Sequence, residues 1–359
     1  MYMCMRCPFL NELPPPPPGK IGWPWTESSP VRCEELSGSQ RWPRVSIITP
    51  SFNQANFLEE TIRSVLLQDY PDLEYVVVDG GSTDGSAEII DRYSPCLSYW
   101  VSELDRGQSI AINKGFAHTT GEIVAWVNSD DILLPGALLK IGRAFMHDPA
   151  VGLVYGDYQV IDEKGNLLKS CITPEYDLKR MVLATWIAQG FVRRSALGGD
   201  SELVRNDLHY MMDWHLWLKV AIKHPGWRIP AFLGQVRLHS NAKTVAAGEL
   251  FNVDRQRIVE WLYSNQDLPP VVWRQRRAAE AMCQYALAIN AYNHANRREA
   301  FCRLLRSFAI SPFKPSIFKR LMYLGGICLP PKWTFRIRRM IRERLHKRAY
   351  IQSLFGSDK

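Results

Sequence analysis

Val45-Ser46-Ile47-Ile48-Thr49-Pro50-Ser51-Phe52-Asn53 begins as a β-branched apolar run and ends in turn-forming residues, the profile of a buried strand that delivers a polar loop. Immediately after it, Leu58, Ile62, Val65 and Leu66 recur at helical spacing, predicting an amphipathic helix over 56–68. Asn56 with Glu59 three residues on reads as its start, and Asp69-Tyr70-Pro71 as its end. Further apolar runs at 74–79 and 122–127 predict two more strands. Strands alternating with helices predict an α/β fold, a Rossmann-like, mixed but mainly parallel sheet flanked by crossover helices. A helix is expected over 108–117, a hairpin over 153–172 about Asp162-Glu163-Lys164-Gly165-Asn166, and a helix over 213–223 with Trp214, Trp217, Leu218 and Ala221 on one face.

Around this central pattern the chain divides in three: a Pro-rich leader at 1–43, an α/β domain at 44–250 and a basic helical region at 251–359. Prolines 14 to 18 favour a stiff extended segment, and the leader's tryptophans are expected to pack on the domain. With 359 residues, 46% of them hydrophobic, the chain can bury a sizeable core. It has no apolar run of about eighteen residues and no secretory signal at its start, so a cytoplasmic location is expected. The eight cysteines are scattered, and Cys4-x-x-Cys7 has no second pair at zinc spacing, which predicts reduced thiols. The net charge of +8 is uneven: residues 251–359 carry roughly 21 Lys/Arg against 7 Asp/Glu. Charge alone suits nucleic acid, an acidic polymer or an anionic membrane equally.

Three polar clusters follow the three strands: Thr49 to Asn53, then Asp79-Gly80-Gly81-Ser82-Thr83-Asp84-Gly85-Ser86, then Asn128-Ser129-Asp130-Asp131. In an open α/β sheet the carboxyl edge of the strands is where ligands bind. The glycines permit tight turns, and Asp79 is able to accept a hydrogen bond from a base or ribose. Two adjacent carboxylates suit a hard divalent cation, although a turn with a helix cap has the same appearance. A rival reading takes Asp79-Gly80-Gly81 as part of a dinucleotide fingerprint, but Gly-x-Gly-x-x-Gly is missing after the first strand, where it should be.

From Val45 to Thr244 the chain resembles the family 2 glycosyltransferases of the GT-A fold. The resemblance rests on these clusters together with Glu103-Leu104-Asp105-Arg106-Gly107-Gln108, Asn113-Lys114-Gly115, Asp213-Trp214-His215-Leu216-Trp217-Leu218 and Arg237-Leu238-His239. It implies a nucleotide-diphosphate sugar donor, commonly a UDP sugar, and inverting transfer to a glycan or lipid-linked acceptor, as in cell-envelope polysaccharide biosynthesis. It further implies donor contacts from Thr49, Pro50, Asn53, Asp79, Asn113, Asn128 and Asp130. A divalent cation, Mn2+ or Mg2+, would be held by Asp130, Asp131 and His239. Asn128 stands where many members carry an aspartate. An amide there still bonds a ribose hydroxyl but binds metal weakly.

Asp213 is the expected general base, with the helix cap as its other reading. Arg237 is expected near the diphosphate, and Trp186, Gln189 and His209 near the acceptor; Trp186 as ordinary core fits equally. An amphipathic helix within 332–348, with Trp333, Ile337, Met340 and Ile341 on one face, suits peripheral membrane contact or docking on the catalytic domain. The rival classes are a non-catalytic sugar-nucleotide or glycan binding module and a nucleic-acid binder. The second has only charge in its favour, so no nucleic-acid partner is expected.

Overall fold

The computed structural model describes residues 7–33, 41–240 and 250–312, and the segment 332–348 lies outside them. The chain forms two compact units, one running to Asp254 and including Asp267–Val272, the other made of Arg255–Gln266 and the chain from Trp273 onward.

In the first unit the strands are β1 (Val45–Ser51), β2 (Leu73–Asp79), β3 (Tyr99–Ser102), β4 (Ile123–Trp126), β5 (Ile132–Leu133), β6 (Leu153–Ile161), β7 (Leu167–Cys171), β8 (Gly190–Arg193) and β9 (Gly226–Arg237). They make one sheet in the order β3-β2-β1-β4-β8-β6-β9-β5, with β7 paired to β6. β3, β2, β1 and β4 run parallel, so their carboxyl ends share one edge. β4 with β8 and β8 with β6 are antiparallel, giving the expected mixed sheet. β1 and β2 are buried at every residue, as β-branched runs covered on both faces should be.

The helices α1 (Ala55–Leu66), α2 (Ser86–Tyr93), α3 (Gln108–Ala117), α4 (Ala137–His147), α5 (Leu178–Met181) and α6 (Met212–Ala221) connect and flank the strands. α1 begins before Asn56 and has no side-chain cap of its own. The α1 cap comes from another loop: Asp84 Oδ2 accepts from the Ala55 N–H at 2.9 Å. α3 approaches β1 so closely that a Cβ on Gly115 would meet Ile48 at 2.5 Å.

None of β3, β5, β8 and β9 is predicted from the sequence. β9 contains Pro230, and the register against β6 shifts there, leaving Pro230 and Ala231 unpaired between Ile229 and Phe232. A bulge is one of the few sheet positions that tolerates proline. β8 is only four residues long.

Residues 7–33 of the leader belong to the first unit. Arg63 on α1 is fully buried and donates to the carbonyls of Pro14, Pro24 and Trp25 at 2.8 to 3.0 Å, and to the Tyr93 hydroxyl at 2.9 Å. Trp23 Nε1 donates to the Leu133 carbonyl at 2.9 Å. The described cysteines are all free. In the second unit α9 (Arg276–Asn293) packs on α10 (Arg297–Ile310); the preceding α7 (Leu250–Ser264) and short α8 (Pro270–Trp273) each have residues in both units. No described helix is long and apolar enough to cross a membrane.

Candidate functional site

Four loops leave the shared strand edge and are tied to one another. Gly80 N–H donates to the Ser51 carbonyl at 2.8 Å, joining the loops after β1 and β2. Asn53, in the left-handed region at φ 51°, receives the Thr83 N–H at 3.0 Å on Oδ1, and its own N–H donates to Ser82 Oγ at 2.7 Å. Gln108 Nε2 donates to Asn128 Oδ1 at 2.8 Å, connecting the loop after β3 to the one after β4.

Asp79 organises this edge. Buried completely, it accepts from the Gly81 and Ser82 N–H groups at 3.2 and 2.9 Å, from Ser82 Oγ at 2.5 Å and from Ser102 Oγ at 2.7 Å. Gly80 is held against the Asp105 carboxylate, which an added Cβ would meet at 3.0 Å. Phe52 and Leu104, 59% and 86% exposed, stand on the loops after β1 and β3. Leu104 also covers Gly81, where an added Cβ would meet it at 3.1 Å. Neither was singled out from sequence as a site residue; a large apolar side chain in a strand-end loop beside turn formers was the available signal.

The side chains of Thr49 and Asn113 lie elsewhere than a donor pocket requires. Thr49 Oγ1 pairs with the Tyr75 hydroxyl at 3.0 Å in the core, and Pro50 is a buried member of β1. Asn113 Oδ1 accepts from the Leu203 and Val204 N–H groups, while its Nδ2 donates to the Val204 carbonyl and Asn206 Oδ1. That occupies both donors and both lone pairs of the amide. The expected donor contact of Asn113 is therefore replaced by the task of fixing residues 203–206.

Asp130 and Asp131 have different surroundings. Asp131, 3% exposed, accepts from Arg237 N at 3.2 Å and from Asn128 Nδ2 at 3.0 Å. Burial, and then the negative charge of Asp130, push its carboxyl well above the usual range. With both oxygens engaged inward, Asp131 supports the turn instead of facing a cation. Asp130, with its side chain 19% exposed, places Oδ2 3.0 Å from His239 Nε2. A carboxylate oxygen and an imidazole nitrogen at this separation are both donors that a divalent cation would accept, so Asp130 and His239 are the residues that would hold one. No cluster of three or more His, Cys, Asp or Glu able to hold a metal occurs among the described residues.

Arg237 lies behind the pair. Its guanidinium donates to the Asp130 carbonyl at 3.1 Å, to Glu60 Oε2 at 3.0 Å and to the carbonyls of Asp162 and Glu163, and it sits 5.0 Å from the Phe57 ring centroid. Those bonds occupy the side chain that was expected to face the diphosphate. α1 holds the same turn through Thr61 Oγ1, which donates to the Asp131 carbonyl at 2.7 Å.

Asp213 occupies the first turn of α6, half-buried, with Oδ1 accepting from the Trp214 N–H at 2.7 Å. Burial pushes its carboxyl up to about 6, against the lowering effect of the Trp214 and Asp213 N–H groups. Trp217, four residues on, stacks with Trp126 at the end of β4, with centroids 5.7 Å apart and planes 8° apart. Among the residues expected near an acceptor, Arg180 covers the Trp186 ring at 5.4 Å. Gln189 is buried against Gly234, whose added Cβ would collide with the amide. His209 gives its backbone N–H to Asp254 Oδ2 at 2.8 Å.

The sheet order, the strand-edge loops and the helical C-terminal region define a GT-A-type fold. Residues 46–197 match the model of glycosyl transferase family 2. It is 30% identical over 202 residues to an uncharacterized glycosyltransferase of Nostoc sp., covering 54% of this chain and 61% of that one. To one of Rickettsia conorii it is 37% identical over 208 residues, 55% of this chain and 34% of that one. The chain thus spans about a third to three fifths of the length of these relatives. Among solved structures, S. aureus TarS 1-349 in complex with UDP-GlcNAc superimposes with a TM-score of 0.55 at 18% identity, over 78% of this chain and 83% of that one. The mannosyltransferase PcManGT of Pyrobaculum calidifontis, in complex with GDP-Man and Mn2+, does so with 0.54 at 20% identity, over 93% and 92%.

Proposed function

We propose that this protein transfers one sugar, with inversion, from a nucleotide-diphosphate sugar, a UDP sugar, to a hydroxyl of a glycan or lipid-linked acceptor. The observation that carries the reading is the Asp130–His239 pair at the carboxyl edge of the sheet, joined by hydrogen-bonded loops to the Asp79 turn. The match to the family 2 model and the nucleotide-sugar complexes of TarS and PcManGT support it.

Phe52 and Leu104 offer apolar surface to a nucleobase beside the loop that Asp79 holds, with Asn53 and Asn128 on flanking loops. The diphosphate lies toward Asp130. Asp130 and His239 would hold a divalent cation, Mn2+ before Mg2+ because one ligand is an imidazole, and it would supply countercharge to the diphosphate. Asp213 takes the acceptor hydroxyl proton as the acceptor oxygen bonds to the anomeric carbon. The bond to the diphosphate oxygen breaks on the opposite face, and the electron pair leaves with the nucleotide. A carboxyl near 6 is ionised at neutral pH yet remains a useful proton acceptor.

The test is nucleotide release from UDP and GDP sugars with and without Mn2+. Metal-dependent release that Asp213→Asn abolishes while UDP still binds is the expected result. No release from any donor would favour a sugar-nucleotide binding module.

A further inference from the structure

α7 starts beyond the residues that match the family domain, yet its first turns reach the segment leading into Asp213. Asp254 is 2% exposed, and its Oδ2 accepts from three consecutive backbone N–H groups: His209 at 2.8 Å, Tyr210 at 2.7 Å and Met211 at 3.2 Å. Phe251, one turn earlier, meets the Tyr210 ring with centroids 5.1 Å apart. These N–H groups sit just ahead of α6, where a helix supplies no acceptor of its own and its dipole favours a negative charge. A carboxylate this deeply buried is costly unless hydrogen-bonded, and the three donors supply the bonds.

The same segment is held from α3. Ser109 Oγ donates to the Leu208 carbonyl at 2.6 Å, and Asn113 binds residues 203, 204 and 206 through all of its amide positions. The chain from 203 to 211 is therefore fixed at one end by α3 and at the other by Asp254. Asp213 follows two residues later.

We propose that Asp254 is a positioning residue for the transfer reaction: by latching the 209–211 backbone it sets where the Asp213 carboxylate stands. This rests on the reading of Asp213 as the base. Asp254 touches no reacting atom in this scheme, so its loss displaces the base and leaves the nucleotide end intact. A displacement of about 1 Å in a catalytic group costs on the order of 100-fold in rate.

The experiment measures release of nucleotide diphosphate by the full chain from UDP-glucose, UDP-N-acetylglucosamine and GDP-mannose with Mn2+, water being the acceptor. Asp254→Asn, Asp254→Glu, Asp213→Asn and the Asp213→Asn/Asp254→Asn double variant are compared, with UDP affinity measured by calorimetry. The expected result is that Asp254→Asn lowers kcat roughly 10- to 100-fold with donor KM and UDP affinity unchanged. The double variant should be no slower than Asp213→Asn alone, because a residue acting through another has nothing left to act on. Asp254→Glu, which keeps the carboxylate, should recover part of the rate, and it carries the comparison if the Asn variant does not fold.

An additive loss in the double variant, a fall in UDP affinity equal to the fall in rate, or an unchanged kcat in Asp254→Asn overturns the latch. Full turnover by Asp213→Asn overturns the base assignment instead. No release by the parent chain from any of the donors overturns both.

Discussion

At the scale of single residues, Asp130 and Asp131 show how neighbours with the same side chain acquire different work. Asp131 turns inward to Arg237 and Asn128, while Asp130 stays partly open and meets His239. Asp130→Ala should therefore abolish the part of UDP affinity that depends on Mn2+, whereas Asp131→Asn should lower the melting temperature and keep the metal response; calorimetric titration with and without Mn2+ separates the two. The identity of these carboxylates was legible in the sequence, but their orientation was not, because it is decided by Arg237, more than a hundred residues away. Asp213 has a sign that can be worked out. Its folded-state value, about 6, is raised above that of an unfolded aspartate, so protonation favours the fold. The stabilisation is complete below the unfolded value near 4 and is lost as pH rises through about 6. As the proposed base Asp213 has to be ionised, which burial opposes, so kcat should rise with pH to a plateau above about 6. Asp213→Asn should lose about 100-fold or more in rate while its melting temperature at pH 8 is equal to or above the parent's. A clear drop in melting temperature there would show that the carboxylate serves as a helix cap.

At the scale of elements, α1 carries two loads. Toward the sheet edge, Thr61 holds the Asp131 carbonyl, Glu60 meets Arg237, and the Ser64 hydroxyl accepts from the Leu133 N–H at 3.1 Å. Toward the leader, Arg63 binds the carbonyls of Pro14, Pro24 and Trp25. The helix period was plain in the sequence because Leu58, Ile62, Val65 and Leu66 face the core. Its start was displaced to Asn56 because the real cap, Asp84, comes from the loop after β2, and no local pattern reveals a cap lent by another segment. β9 was hidden for a related reason: Pro230 argues against a strand until the bulge that accommodates it is known. Arg63→Met should cost about 3 kcal/mol in urea unfolding, since it leaves buried carbonyls without their donor. Trp23→Phe, which removes a single neutral hydrogen bond to Leu133, should cost about 1 kcal/mol. Equal losses for the two variants would mean that the leader is held by packing and not by the arginine.

At the scale of the whole molecule, the parallel part of the sheet gathers four loop-bearing strand ends on one edge, the edge at which open α/β sheets bind ligands. This much followed from strand, helix, strand in order, since crossover connections leave parallel strands no other arrangement. The residues expected near an acceptor were less legible, because Gln189 lies against Gly234 of β9 and His209 is held by Asp254 of α7, contacts that no local pattern reveals. The basic excess beyond residue 250 describes a charge balance and names no partner. Ligand binding offers a measurement that spans the molecule. A ligand that binds only the folded state stabilises it by about 2.7 kcal/mol at a hundred times its dissociation constant, so UDP with Mn2+ should raise the melting temperature by a few degrees. With the Asp130–His239 pair as the proposed metal end of the nucleotide site, chelation should remove most of that rise, and His239→Ala should remove it to the same extent without chelator. A rise that is equal with and without Mn2+ would mean that the diphosphate is neutralised by protein side chains, and the pair would then be a hydrogen bond and nothing more.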